Sequence, residues 1–388
     1  MDRRQFLIAS AASATTAGTF ALSQSVPRQL PLIPLTDLTG GIEARIPLVL
    51  NPGTHDFGTG AASQTLGINN NYLGPVLRVK QGQTLPFDVA NRIGDVSTIH
   101  WHGHHIPGNV DGGPHQEIED GGVWSPDVPI VQQASMNWFH SHMHGKTAQQ
   151  TYNGLAGVLL VEDDASLSAD LPKTYGVDDF TLILQDKTFD ANGRMNYELT
   201  AEVFEDGYEG DTMVVNGAIA PASQNVPKGV IRLRILNACN ARFLELSMQT
   251  GTLTVIASDG GFLSRAVEAE SILMSPGERY EVLVDMNAME TNALNVDFDG
   301  GGFFSGLFGG NQPTTLLTLL RTADQGFAGS MPNQLANLDP PRVDEANVTR
   351  SFELQMDVGA DLVALALAWE NFCGNAGAMA INGQPMKM

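Results

Sequence analysis

Apolar and polar residues alternate along much of the chain with the two-residue period of strands that bury one face. Leu77 and Val79 point one way while Arg78 and Lys80 point the other, and Leu85, Phe87 and Val89 repeat the pattern. Glycines and prolines punctuate these runs at the spacing of β-sandwiches. The pattern predicts an all-β chain of tandem Greek-key sandwiches. One unit closes with GLAGVLLVEDD near Asp164, and a second closes with YEVLVDM and LLTLLRTAD near Asp324. TMVVNGAIAP followed by VIRLRILN echoes GPVLRVKQG followed by FDVAN, a weak internal repeat that suggests two copies of one fold. Ile381-Asn382-Gly383-Gln384-Pro385 repeats the same signature, so a third sandwich is expected to begin there.

The expected organisation is therefore a leader at 1–23, a first sandwich at 24–164, a second at 165–324, and a tail at 325–388. That tail holds a linker over 325–350, a short helix over Val358–Phe372 and the start of the third sandwich. Residues 24–40 are rich in Pro, Leu and Gly and are expected to wrap the surface before the first strand.

Composition narrows the class. The 388 residues suffice for two or three domains, and 41 Gly with 20 Pro suit a loop-rich β protein. A net charge of −22 argues against nucleic acid and anionic membrane as partners. Cys239 and Cys373 belong to no metal-binding cysteine spacing. Cys239 reads as a small buried hydrophobe. Asp2-Arg3-Arg4-Gln5-Phe6-Leu7 looks like a twin-arginine signal, with Ala21-Leu22-Ser23 as a passable cleavage site. The stretch behind it is too weakly apolar for an integral membrane span. It predicts passage through the twin-arginine export machinery and a periplasmic mature protein.

Two histidine pairs carry the chemistry: His100-Trp101-His102 and His140-Ser141-His142. In a strand, residues i and i+2 share a face, so each pair would place two imidazoles side by side, about 6–7 Å apart at the backbone. Two such strands laid together converge four imidazoles on one spot. Imidazole suits copper, zinc, iron and nickel, and spacing alone does not choose among them.

HWHG, PGNVDGGP and NWFHSHMHGKTAQQTYNGLAGVLLVEDD resemble the first domain of the multicopper oxidases, in the bacterial periplasmic branch of cuprous oxidases and laccase-like enzymes. The likeness continues through QDKTFDANGRMNY, GDTMVVNGAIAP, RLRILNACNAR, VIASDGG and GERYEVLVDM, nearly the whole mature chain. It implies cupredoxin-type sandwiches, copper as cofactor, and dioxygen reduced to water at the expense of a small reductant or cuprous ion. By resemblance, His100 matches the type 2 copper ligand, and His102, His140 and His142 match ligands of the type 3 pair. Asp111 matches a carboxylate near the type 2 copper, where it would relay protons; its alternative role is a turn residue before Gly112-Gly113.

The family's remaining ligands come in HPxHxH and HCHxxxH motifs, and neither is present in these residues. The type 1 ligands are thus absent, and the 388 residues are expected to act as an inactive piece of a longer product. Only four methionines, Met356, Met379, Met386 and Met388, are spread near the C-terminus. Without a dense methionine insertion, cuprous ion is weakened as substrate against a phenolic reductant. A non-enzymatic periplasmic copper-binding or scaffolding relative of the same fold is the competing reading. His144, His104, His105, His55 and His115 are left outside the expected ligand set, and Trp101 and Trp138 are expected to pack in the core on the faces opposite or beside the ligands.

Overall fold

The computed structural model describes residues 28–200, 203, 207–297, 313–329, 334–338 and 348–352, and the backbone of strands Leu354–Met356, Met379–Ile381 and Gln384–Pro385. The expected leader and the expected helix over 358–372 lie outside the described residues.

The protein is nearly all-β. In the first sandwich, one sheet runs in the order Leu35–Asp37, Val76–Lys80, Ala156–Glu162, Ser135–His140, His100–His102. The opposing sheet runs Ser63–Ile68, Ile46–His55, Thr84–Asn91, Val123–Trp124, with Asp127–Pro129 also paired to Thr84–Asn91. The alternation works as the sequence suggests: Leu77, Val79, Leu85, Phe87 and Val89 fill the space between the sheets with Leu48, Leu50, Trp101 and Phe139. Burying a side chain of that size contributes roughly 1.5–3 kcal/mol.

The second sandwich pairs a six-stranded sheet with an eight-stranded one. The latter contains Asp179–Phe189, Val230–Asn237 and Arg279–Asp285 side by side. Its core holds Phe180, Leu182, Leu184, Ile231, Leu233, Ile235, Leu246 and Leu294. Val230–Asn237 is buried at all its positions, as is most of Asp179–Phe189. The reason is that this sheet packs against the histidine-bearing sheet of the first sandwich. Ile183, Val214 and Leu236 from one side meet Val76, Met136, Trp138, Val158 and Leu160 from the other.

Residues 28–40 do more than wrap the surface. Arg28–Gln29 adds a parallel strand to the six-stranded sheet of the second sandwich, and Leu35–Asp37 adds one to the first. Leu30 and Ile33 between them are buried. Such short edge strands draw their stability from the neighbour they pair with, not from an alternation of their own. Among the described residues, no helix is long and apolar enough to cross a membrane.

Candidate metal centre

Strand His100–His102 pairs antiparallel with Ser135–His140, placing His140 opposite His100, Phe139 opposite Trp101 and Trp138 opposite His102. Directly paired residues share a face. Trp101 and Phe139 therefore turn together into the core, with ring centroids 5.8 Å apart. His100, His102, Trp138 and His140 are left on the other face.

The second pair departs from the expected geometry. The strand ends at His140, and Ser141–Met143 follow without strand pairing. The i, i+2 argument thus holds for His100 and His102 and does not explain His142. Its amide instead donates to Thr98 Oγ1 at 2.8 Å, which draws the segment back toward the first histidine strand. A buried side-chain knot fixes the same bend: Ser97 and Ser141 hydroxyls both donate to Gln150 Oε1, at 2.8 and 2.5 Å.

The four imidazoles gather. Ring centroids of His102, His140 and His142 lie 5.7, 5.5 and 5.2 Å from that of His100. One ring nitrogen from each of His100, His102 and His140 falls within 4.8 Å of the others, and His102 Nδ1 is 3.3 Å from His140 Nε2. His142 sits at the edge of this group, and its Nδ1 is buried without a hydrogen-bond partner.

Burial sets the electrostatics. Desolvation disfavours the imidazolium form, pushing His102 down to about 4 and His140 well below the usual histidine value. His100 is also lowered by burial, with the nearby Asp111 opposing. At neutral pH His100, His102 and His140 are therefore neutral imidazoles, the form that binds a transition metal. His140 Nδ1 faces Ser141 O at 2.7 Å; a carbonyl only accepts, so the proton is on Nδ1 and Nε2 carries a lone pair, with His102 Nδ1 as its neighbour. The same logic puts a proton on His100 Nδ1, which lies 3.1 Å from Asp111 O, and leaves its Nε2 free. Trp138 stacks on His140 with centroids 4.0 Å apart and covers one side of the cluster. The donor set fits a nitrogen-liking metal such as copper.

Asp111 lies beside this group: its Oδ1 is 3.4 Å from His100 Nδ1, and the side chain is 35% exposed. His55 bonds Gly217 O at 2.7 Å and stacks on Tyr72, while His105 and His115 are exposed. His104 is held down to about 3 by burial. Sequence reasoning missed Thr98, Gln150 and two residues of the second sandwich, Gly277 and Arg279. GERYEVLVDM was visible as a motif, but nothing in its pattern indicates that it reaches the histidine strands.

Two sequence profiles of the multicopper oxidase family match residues 50–166 and 138–301. A laccase-like multicopper oxidase CueO from Ochrobactrum sp. superposes with a TM-score of 0.81 at 37% identity, covering 92% of this chain and 78% of that one. Cell division protein FtsP of Xenorhabdus nematophila is 36% identical over 365 residues, 91% of this chain and 76% of the relative. FtsP of Salmonella typhimurium is 40% identical over 289 residues, and this chain spans 60% of its length. Multicopper oxidase mco of Staphylococcus aureus is 39% identical over 245 residues, 63% of this chain and 54% of that relative. With its cupredoxin-like sandwiches and paired histidine strands, the chain belongs to the multicopper oxidase family.

Proposed function

We propose that His100, His102, His140 and His142 hold copper, and that the protein is a copper-dependent oxidoreductase. It couples one-electron oxidation of a small substrate, a phenolic compound or cuprous ion, to reduction of dioxygen to water, in the periplasm after twin-arginine export. The observation that carries this reading is the convergence of three ring nitrogens within 4.8 Å from two adjacent strands. His100 is assigned to the type 2 position and His102, His140 and His142 to the type 3 pair. Copper bound there would supply the one-electron steps through which dioxygen is reduced.

The chain's own residues do the rest. His100 and His140 keep their Nε2 lone pairs available because Asp111 O and Ser141 O hold the protons on Nδ1. Trp138 shields one side from water. Reducing dioxygen to water consumes protons, and Asp111 touches both solvent and His100, so its carboxylate is assigned as the relay. The last histidine in these residues is His144, and neither cysteine has a histidine near it in sequence. A blue copper site takes a thiolate with two imidazoles, so these 388 residues are expected to bind copper without intense blue absorption.

The test is equilibrium dialysis against Cu²⁺ with electron paramagnetic resonance. The native chain should take up copper with nitrogen hyperfine structure, and His100→Ala or His140→Ala should lose most of it. Uptake unchanged in both variants would overturn the assignment.

The likeness to FtsP favours a second reading, a periplasmic copper-binding or scaffolding relative without oxidase activity. Fusing a cupredoxin domain that bears HPxHxH and HCHxxxH separates the two. Oxygen uptake with a phenolic reductant supports the oxidase; copper binding without uptake supports the scaffold.

A further inference from the structure

We propose that Gly277 and Arg279, both on the second sandwich, are positioning residues that hold the His102 ring with Nδ1 aimed into the histidine cluster. The proposal rests on the reading that this cluster binds copper.

Arg279 starts a strand of the second sandwich, yet its guanidinium serves the first. The side chain is 4% exposed. Its Nε–H donates to Met136 O at 3.0 Å, and Nη2 to Asn137 Oδ1 at 3.4 Å, both on the strand that carries His140. Asp259 balances the charge through Oδ1 at 2.7 Å and accepts a further bond at its carbonyl, at 3.1 Å. The guanidinium also packs against the turn that follows His102. Gly103 has φ +88°, and a Cβ there would sit 2.5 Å from Arg279 Nη2 and 2.6 Å from Asn137 Oδ1. One fork therefore grips the His140 strand and packs against the turn after His102 from outside their own sandwich, a geometry that lysine cannot reproduce.

Gly277 completes the arrangement. It sits at φ +84° in a turn closed by Ser275 N to Glu278 Oε2 at 2.6 Å and anchored by Gly277 N to Asn237 O at 2.8 Å. A Cβ at this position would lie 3.3 Å from His102 Cε1, 3.6 Å from His102 Nε2 and 3.9 Å from Trp138 Cζ2. The turn backbone thus runs along the Cε1–Nε2 edge of the ring, while Nδ1 faces His140 Nε2 at 3.3 Å. Trp138, tilted against the ring with centroids 5.0 Å apart, takes a third side. The imidazole is held in one orientation, and the nitrogen presented to the cluster is chosen by the second sandwich. Partners that orient a ligand in this way commonly matter 10–100-fold in metal affinity.

The experiment uses the 388-residue chain and the variants Gly277→Ala, Gly277→Asn and Arg279→Lys. Asparagine tolerates positive φ better than alanine, so it adds the Cβ with less backbone strain. Three quantities are read: Cu²⁺ affinity by chelator competition, the tautomer of each metal-free histidine by long-range ¹⁵N–¹H correlation, and the melting temperature. Each folded variant is expected to bind Cu²⁺ about 10–100-fold more weakly. The His102 ring signals should move by more than those of His100 and His142. A purely structural role would lower the melting temperature and leave affinity and His102 signals alone; that result in the folded variants overturns the proposal. If the native chain binds no copper while the variants still shift His102, the copper reading fails and the positioning stands.

Discussion

Lys187 places an amine inside the protein. It is fully buried, bonds Tyr152 O, and lies 3.9 Å from the centroid of the Tyr152 ring. Burial pushes its pKa down to about 7, with the neighbouring Asp186 opposing. The unfolded chain keeps its proton to about pH 10.4. Between those values the unfolded state binds a proton that the folded state lacks, so stability rises with pH, by at most about 1.4 kcal/mol per pH unit. Below pH 7 both states are protonated and the cost of burying the charge is constant. The native protein should therefore gain on Lys187→Met from about pH 7 to 9.5 in urea unfolding. Parallel curves for the two proteins would show that Lys187 is not depressed. Nothing in QDKTFD suggests this burial, because alternation alone would leave half of the strand at the surface. The same covered sheet buries Cys239, and burial raises its thiol well above the usual range, in keeping with an inert small hydrophobe.

At the scale of elements, the histidine strands show what a residue pattern can and cannot convey. HWH alternates, and its two imidazoles and core tryptophan fall where period two puts them. HSHMH shows the same spacing without being a strand beyond His140, because hydrogen bonds from His142 N to Thr98 and from the Ser141 hydroxyl to Gln150 set its path. Spacing was legible there; the cause of convergence was not. GLAGVLLV is the reverse case, a strand buried at every position and so without visible alternation. Its Gly157 pairs directly with Phe139, and a Cβ at Gly157 would run into the Phe139 ring. Phe139 in turn packs on Trp101, between the two histidines of the first pair. Gly157→Ala should therefore cost about 1–3 kcal/mol by overpacking, read as a lower urea midpoint with an unchanged slope. The cost should fall if Phe139 is shortened to Leu in the same chain. An unaltered midpoint in Gly157→Ala would mean that the ring has room to move.

For the whole molecule, the all-β class, the repeat of sandwiches and the grouping of the histidines were readable from alternation and motif. How one sandwich serves the other was not. Alternation in RLRILN sets its arginines on one face and its Leu and Ile on the other, yet both faces are covered: Arg232 and Arg234 are buried where the two sandwiches meet. Arg234 pairs with Asp179 at 2.8 Å and Glu281 at 3.3 Å, and approaches Glu162 of the first sandwich at 3.8 Å. From the other side, Arg78 approaches Asp179 at 3.9 Å. Burial alone would raise the Asp179 carboxyl, but the surrounding guanidiniums, Arg234 foremost, more than offset it and leave its pKa below the usual value. A depressed carboxylate contributes stability that is present above its unfolded pKa, near 3.9, and is lost as pH falls through the folded value. Removing one partner of a buried ion network leaves the other charges uncompensated, at roughly 3–5 kcal/mol. Asp179→Asn should thus unfold earlier in urea at neutral pH, lose less on acidification than the native protein, and release the two sandwiches in separate calorimetric steps. The His102 ring, held between the sandwiches by Gly277, should then loosen in the first of those steps. A variant that melts in one step with native acid sensitivity would show that the sandwiches are joined by their apolar contacts alone, with the ion network a passenger at the interface.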